Sequence, residues 1–166
     1  MAWTAPKTWV AAEIVDEAEM NAHLRDNLNY LNDSLSVNAQ RTTDSSSTSS
    51  STVLDVLSAP AFTPISASRL IKITGQWRSM TVTTDPGIYT VYIREGSTSL
   101  NQQNHELSAP AVGLSGGSIV TYVASPSAAA HTYKLSMQRA SGTGTAVMNA
   151  AATYPIQIIV QDIGAA

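Results

Sequence analysis

The chain has 166 residues, 43% of them hydrophobic but only 13% charged, with a formal net charge of -3. An average soluble domain carries about 25% charged residues, so Ser, Thr, Ala, Gly and Asn fill this surface instead and suit it to permanent packing against neighbours. The nine Lys and Arg residues are scattered from Lys7 to Arg139, which gives no basic field for nucleic acid or anionic lipid, and the lack of cysteine excludes disulfides and thiolate metal sites.

Residues 1–15 hold Trp3 and Trp9 around Pro6 and are too short to form a core, so an extended arm is expected. They show no charged region followed by an apolar one, and no apolar run in the chain approaches the roughly 18 residues of a membrane span. Neither a targeting signal nor membrane insertion is expected, and synthesis is cytosolic. Tryptophan on such an arm either packs back on the next helix, in a staple of Ile14 or Val15 against Met20, or fills a pocket on a partner.

A helix start follows. Asp16 is a good N-cap, Glu19 three positions later makes an acidic relative of the capping box, and Asp16, Glu17 and Glu19 suit the positive helix end. Downstream, Leu24, Leu28, Leu31 and Leu35 are spaced four, three and four apart, with Asn21 one turn earlier at the same seam. A 3.5-residue period of this kind is a coiled-coil stripe, and one of so few heptads needs either partner helices or a domain that holds it in place. These five residues are the expected oligomer interface. Residues 1–40 therefore read as an arm and an oligomerisation or docking helix. Residues 41–52, RTTDSSSTSSST, read as a solvated linker, with a polar strand in an oligomeric stalk as the alternative.

From residue 53 to 166 the helical period gives way to short alternating segments separated by Gly, Pro, Asn and Ser, which predicts an antiparallel β-sandwich. Ile71, Ile73 and Trp77 share one face, as do Tyr89, Val91 and Ile93, and Tyr133, Leu135 and Met137. Further strands are expected at 53–57, 61–65, 80–84, 118–123, 145–149 and 156–162. Asp85-Pro86-Gly87 and the run 141–144 are the best turns. The stretch 96–117 has few apolar anchors and is expected to be an exposed loop, in which Asn101, Gln102, Gln103, Asn104 and His105 could hydrogen-bond sugar hydroxyls without ionising.

Chemistry is sparse. His23, His105 and His131 lie in different zones, with no ligand spacing for a metal. The β-region offers Asp55, Asp85, Glu95, Glu106 and Asp162, too few unassigned carboxylates for a glycosidase pair, and there is no Gly-x-Ser-x-Gly elbow. A Ser–His–acid triad cannot be judged from spacing alone. Gly142-x-Gly144 lacks the third glycine and helix of a dinucleotide site. No catalytic residue, cofactor or metal is expected.

The run Thr8 to Val15, TWVAAEIV, followed by Met20-Asn21 and Leu24-Arg25-Asp26-Asn27-Leu28, resembles the N-terminal motif of small tail-associated or head-decorating proteins of tailed bacteriophages. The family's usual Gly is Ala12 here, while the Leu-Arg-Asp-Asn core is intact. The C-terminal run from Pro155 to Gly164 is similar to the last strand of those proteins, whose β-domains are regarded as trimeric jelly-roll knobs. The resemblance implies a non-enzymatic virion protein. Its expected form is a homotrimer whose arm and helix dock on other virion proteins through Trp3, Trp9, Ile14 and Arg25, and whose knob projects outward. A tail-associated fibre or knob binding a host-surface glycan or protein is the favoured role, with capsid decoration as the alternative and a glycan-degrading tail enzyme third.

Overall fold

The computed structural model describes residues 16–25, 28, 36–82, 87–107 and 114–166. The expectations placed on Trp3, Trp9, Ile14, Leu31, Leu35 and the first part of the Asp85 turn lie outside those residues, as does that on the Arg25 side chain. The described chain is mainly β. A short helix α1 (Glu17–Met20) leads into a π-helical stretch, Asn21–Arg25. Then come β1 (Ser36–Arg41), β2 (Leu54–Ser58), β3 (Arg69–Val82), β4 (Gly87–Glu95), β5 (Thr98–Leu107), β6 (Leu114–Ala124), β7 (Tyr133–Gly142), β8 (Ala146–Asn149) and β9 (Ile156–Ala165).

Every pairing is antiparallel, in two sheets. One has the order β1-β9-β3-β6, with β8 paired to the far end of β3, and the other has β2-β7-β4-β5. Between them lies one core. The alternation read from the sequence sets its inner faces: Ile71, Ile73 and Trp77 of β3, Tyr89, Val91 and Ile93 of β4, and Tyr133, Leu135 and Met137 of β7 are buried together with Ile158 and Val160 of β9. Burying one such side chain contributes about 1.5–3 kcal/mol, so these periodic positions carry the sandwich. The phase of burial changes within β3, from odd positions up to Trp77 to Met80 and Val82 beyond the exposed Arg78. Met80 and Val82 pair with the buried Met148 and Ala146 of β8.

Five expectations are corrected. The segment expected as a separate strand at 80–84 is instead the end of one 14-residue strand, because no Gly or Pro interrupts Trp77 to Val82. The segment 61–65 forms no strand: Phe62 makes only a two-hydrogen-bond bridge to His131, since Pro60 and Pro64 lack the donors that a longer ladder needs. The exposed loop expected over 96–117 is largely β5 and the start of β6. Gly96, at φ +57, supplies the left-handed residue of a two-residue turn between Glu95 and Thr98, and this turn returns the chain as an edge strand despite its amide-rich composition.

The helical unit expected to reach residue 40 gives way by Ser36, where Val37 and Ala39 alternate inward and pair with Val160 and Ile158. The Ser/Thr-rich run that follows is part of the sandwich. Arg41 gathers it by donating to the carbonyls of Thr43, Asp44 and Val56. Ser45 N–H donates to Met148 O at 2.9 Å, and Thr48 and Ala146 exchange backbone bonds at 2.8 and 2.9 Å. Ser45 Oγ accepts from Met148 N–H at 2.9 Å. Ser45 and Thr48 are buried as a result. The run satisfies backbone groups of the short strand β8, and its small side chains let it approach closely.

Candidate functional site

Four places gather the side chains that could act on another molecule. At the N-terminal helix, Asp16 is the N-cap and its Oδ1 accepts from Glu19 N–H at 2.8 Å, so the helix starts where the sequence placed it. After one α turn it widens into the π-helical stretch, which moves Leu24 off a regular 3.5-residue stripe. Met20, Leu24 and Leu28 are 43%, 51% and 64% exposed, while Asn21 is half-buried. Three apolar side chains thus stand in solvent on one short segment.

The second place is β5, which holds all five expected ligand residues. The structure does not bring them into one site. Asn101 turns toward β6 and donates from Nδ2 to Val120 O at 2.7 Å. His105 sets its ring edge-on to Trp77 at 5.4 Å, and burial pushes its pKa down, favouring the neutral ring. Asn104 points to the opposite face, where its Oδ1 accepts from Thr90 Oγ1 at 2.8 Å. Asn101, Asn104 and His105 therefore serve the fold. The exposed Gln102 and Gln103 face opposite sides of the strand.

The third place, which sequence spacing could not reveal, joins residues 36 positions apart. His131 Nδ1 lies 2.5 Å from Glu95 Oε1, and His131 Nε2 lies 3.1 Å from Ser127 Oγ and 2.9 Å from Ser127 O. The order Ser, His, acid is that of a hydrolase triad, but here His131 Nε2 also lies within hydrogen-bond distance of the carbonyl of the same serine. Burial alone lowers the His131 pKa, yet the Glu95 hydrogen bond, the Ser127 carbonyl and the Glu95 charge together raise it. When protonated, the ring donates from both nitrogens, to Glu95 and to the Ser127 carbonyl. The imidazole ring stacks on Tyr133 with centroids 6.0 Å apart and 9° between planes. Burial and the nearby Glu95 charge push the Tyr133 phenol up to about 12. This is a clamp that ties the turn before β7 to the end of β4.

Other carboxylates are similarly engaged. Asp162, with its side chain fully buried, accepts Arg69 Nε at 2.8 and 2.9 Å, and Arg69 NH2 lies 2.7 Å from its Oδ1. Asp55 takes Lys134 Nζ at 2.6 Å and Ser136 Oγ at 2.8 Å. Burial raises the Asp55 pKa, but these hydrogen bonds and the charges of Lys134 and Arg94 outweigh it and hold the carboxyl below its ordinary value. Among the described residues, no three His, Asp or Glu side chains converge as a metal site would require. No described helix is long and apolar enough to cross a membrane.

The fourth place is a surface cavity of about 240 Å³ between the outer face of β3 and the turn before β9, lined in part by Gln76, Arg78, Thr153, Tyr154 and Gln157. Its glutamines belong to a row across three strands, in which Gln40 Nε2 donates to Gln157 Oε1 and Gln157 Nε2 donates to Gln76 Oε1. Gln40 falls in the unit expected as arm and helix, and Gln76 and Gln157 in segments expected as separate strands, so periodicity alone gives no sign that they meet.

No family model matches the chain, and no curated protein matches it significantly. Among solved structures, the chain is similar to the insecticidal delta-endotoxin Cry8Ea1 from Bacillus thuringiensis, with 18% identity and a TM-score of 0.42 over 71% of this chain and 19% of that one. It is also similar to a chain in the structure of infectious bursal disease virus strain Gx, with 13% identity and a TM-score of 0.38 over 76% of this chain and 34% of that one. The chain thus spans about a fifth and a third of the length of these two chains.

Proposed function

We propose that this chain is a non-enzymatic structural protein of a bacteriophage particle, in which the N-terminal arm and helix assemble three copies and dock them on the virion while a jelly-roll-like sandwich projects outward as a knob. The observation that carries the reading is the exposure of Met20, Leu24 and Leu28 on a short helix, within the same segment that bears the phage-like motif. Apolar side chains exposed together on a helical segment gain stability when they are buried against something else. The role is recognition, because Glu95, Asp55 and Asp162 are each tied to a cation and His131 is arranged as a clamp. A tail-associated position with host-surface binding is the favoured form, and capsid decoration uses the same parts. Purified particles probed with antibody against the sandwich test the reading. Label at the tail supports the fibre or knob, label over the head supports decoration, and absence of the chain from particles refutes both.

A further inference from the structure

We propose that the cavity beside Tyr154 is a binding site for an acidic saccharide, with Tyr154 as a stacking platform, Gln76 as a hydroxyl ligand and Arg78 as the partner of a carboxylate. The platform is built by the backbone. Ala151 and Tyr154 exchange N–H to O bonds of 3.0 Å in both directions, closing a tight turn around Ala152 and Thr153, and Pro155 fixes the exit into β9. The ring that this turn holds is 66% exposed, the most exposed large apolar side chain among the described residues. An aromatic face presented in advance on a closed turn loses little freedom when a ligand covers it. Aliphatic C–H faces of a sugar ring suit such a surface, while its hydroxyls need partners around the rim.

The amide row supplies those partners. Because each amide donates in the same direction, from Gln40 to Gln157 to Gln76, the row ends with the Gln76 carbonyl occupied and its NH2 group at the cavity. Within the described residues nothing accepts from that nitrogen, and Arg78, exposed at the same cavity, makes no hydrogen bond or ion pair. Thr153 adds a hydroxyl that donates or accepts. Among the described residues that line the cavity there is no carboxylate and one formal charge, the Arg78 guanidinium, whose planar fork suits a carboxylate. Its volume of about 240 Å³ lies below the roughly 300–1,000 Å³ of pockets for drug-sized ligands. That fits one sugar ring better than an extended peptide. Only the source of the saccharide, a host envelope, rests on the virion reading.

Isothermal titration of the full chain with trigalacturonate and with sialyllactose, against maltotriose as the neutral control, tests the site. At least one acidic probe is expected to bind saturably and more tightly than maltotriose. Tyr154→Ala is expected to weaken that binding by about tenfold or more, and Arg78→Gln to remove the preference over maltotriose. Both side chains are on the surface, so circular dichroism of either variant should match the parent. Failure of both acidic probes, undiminished binding by Tyr154→Ala, or equal binding of maltotriose by the parent would overturn the proposal. Tyr154-dependent binding by a chain absent from particles would refute the virion reading and leave the site standing, whereas incorporation into particles without saccharide binding would do the reverse.

Discussion

Glu95 and His131 share a hydrogen bond at the end of the sandwich that becomes an ion pair when the ring is protonated, and the same imidazole lies within hydrogen-bond distance of the Ser127 carbonyl with its other nitrogen. His105 behaves in the opposite way: burial beside Trp77 disfavours its charged form. The two histidines therefore drive stability in opposite directions with pH. The raised pKa of His131 gives stability that is fully present below the ordinary value of 6.5 and is lost as pH rises through the higher folded value. The lowered pKa of His105 gives stability that is present above 6.5 and is lost as pH falls toward its folded value. Denaturant midpoints measured from pH 5 to 8.5 (about two units either side of the histidine range) should separate them. His131→Gln is expected to leave a profile that falls on acidification, and His105→Gln one that falls on alkalinisation. Parallel profiles for the two variants would show that the clamp does not form.

Gly117 faces the Trp77 ring so closely that an added Cβ would stand 2.2 Å from Cζ2. Gly117→Ala is expected to lower stability by about 1–3 kcal/mol as overpacking, and Trp77→Phe in the same chain should recover part of that loss. Chemical denaturation of the four proteins in that cycle gives the coupling. Simple additivity would mean that the ring moves aside freely.

The Arg69 and Asp162 pair is the deepest charge in the described sandwich, with the Asp162 side chain fully buried. Arg69→Met leaves that carboxylate without its partner and is expected to cost about 3–5 kcal/mol. Replacing both residues, as Arg69→Met with Asp162→Leu, should cost much less. A single variant as stable as the double would contradict the buried pairing.

The inner faces of the sandwich were legible because strands impose a period of two, and Ile71 with Ile73, Tyr89 with Val91 and Ile93, and Tyr133 with Leu135 and Met137 recur at every second position. The start of the helix was legible in Asp16 and Glu19 because capping is local. What escaped depended on long-range pairing. β5 is built from Asn and Gln, which have little strand preference of their own, and is held by its ladder to β4. The serine run lacks apolar side chains altogether, yet its backbone pairs with β8. The Glu95 clamp and the Gln76 amide row join residues 36 and 81 positions apart, and no spacing rule reaches between strands so distant in the chain.

The serine run gives a direct prediction. A fragment of residues 36–166 keeps β1 and the bonds from Ser45 and Thr48, whereas one of residues 53–166 exposes the edges of β9 and β8. The shorter fragment is expected to unfold at lower denaturant or aggregate through those edges. Hydrogen exchange in the full chain should show protected amides at Ser45, Thr48, Ala146 and Met148. Equal stability of the two fragments would return the run to the role of a linker.

Self-association through the helix predicts a mass three times the 17.5 kDa of one chain in sedimentation equilibrium. Leu28 is 64% exposed in the single chain, so Leu28→Asp should leave the sandwich folded and reduce the assembly to monomers. A parent protein that sediments as a monomer would contradict the seam.

The virion assignment is tested most directly by cryo-electron microscopy of purified particles carrying the chain, compared with particles in which its first 35 residues are deleted. The predicted result is a threefold knob of density on the complete particles, at the tail or on the head, that fits three β-sandwiches and is missing after the deletion. Particles whose density and protein content do not change when the whole chain is removed would contradict the account.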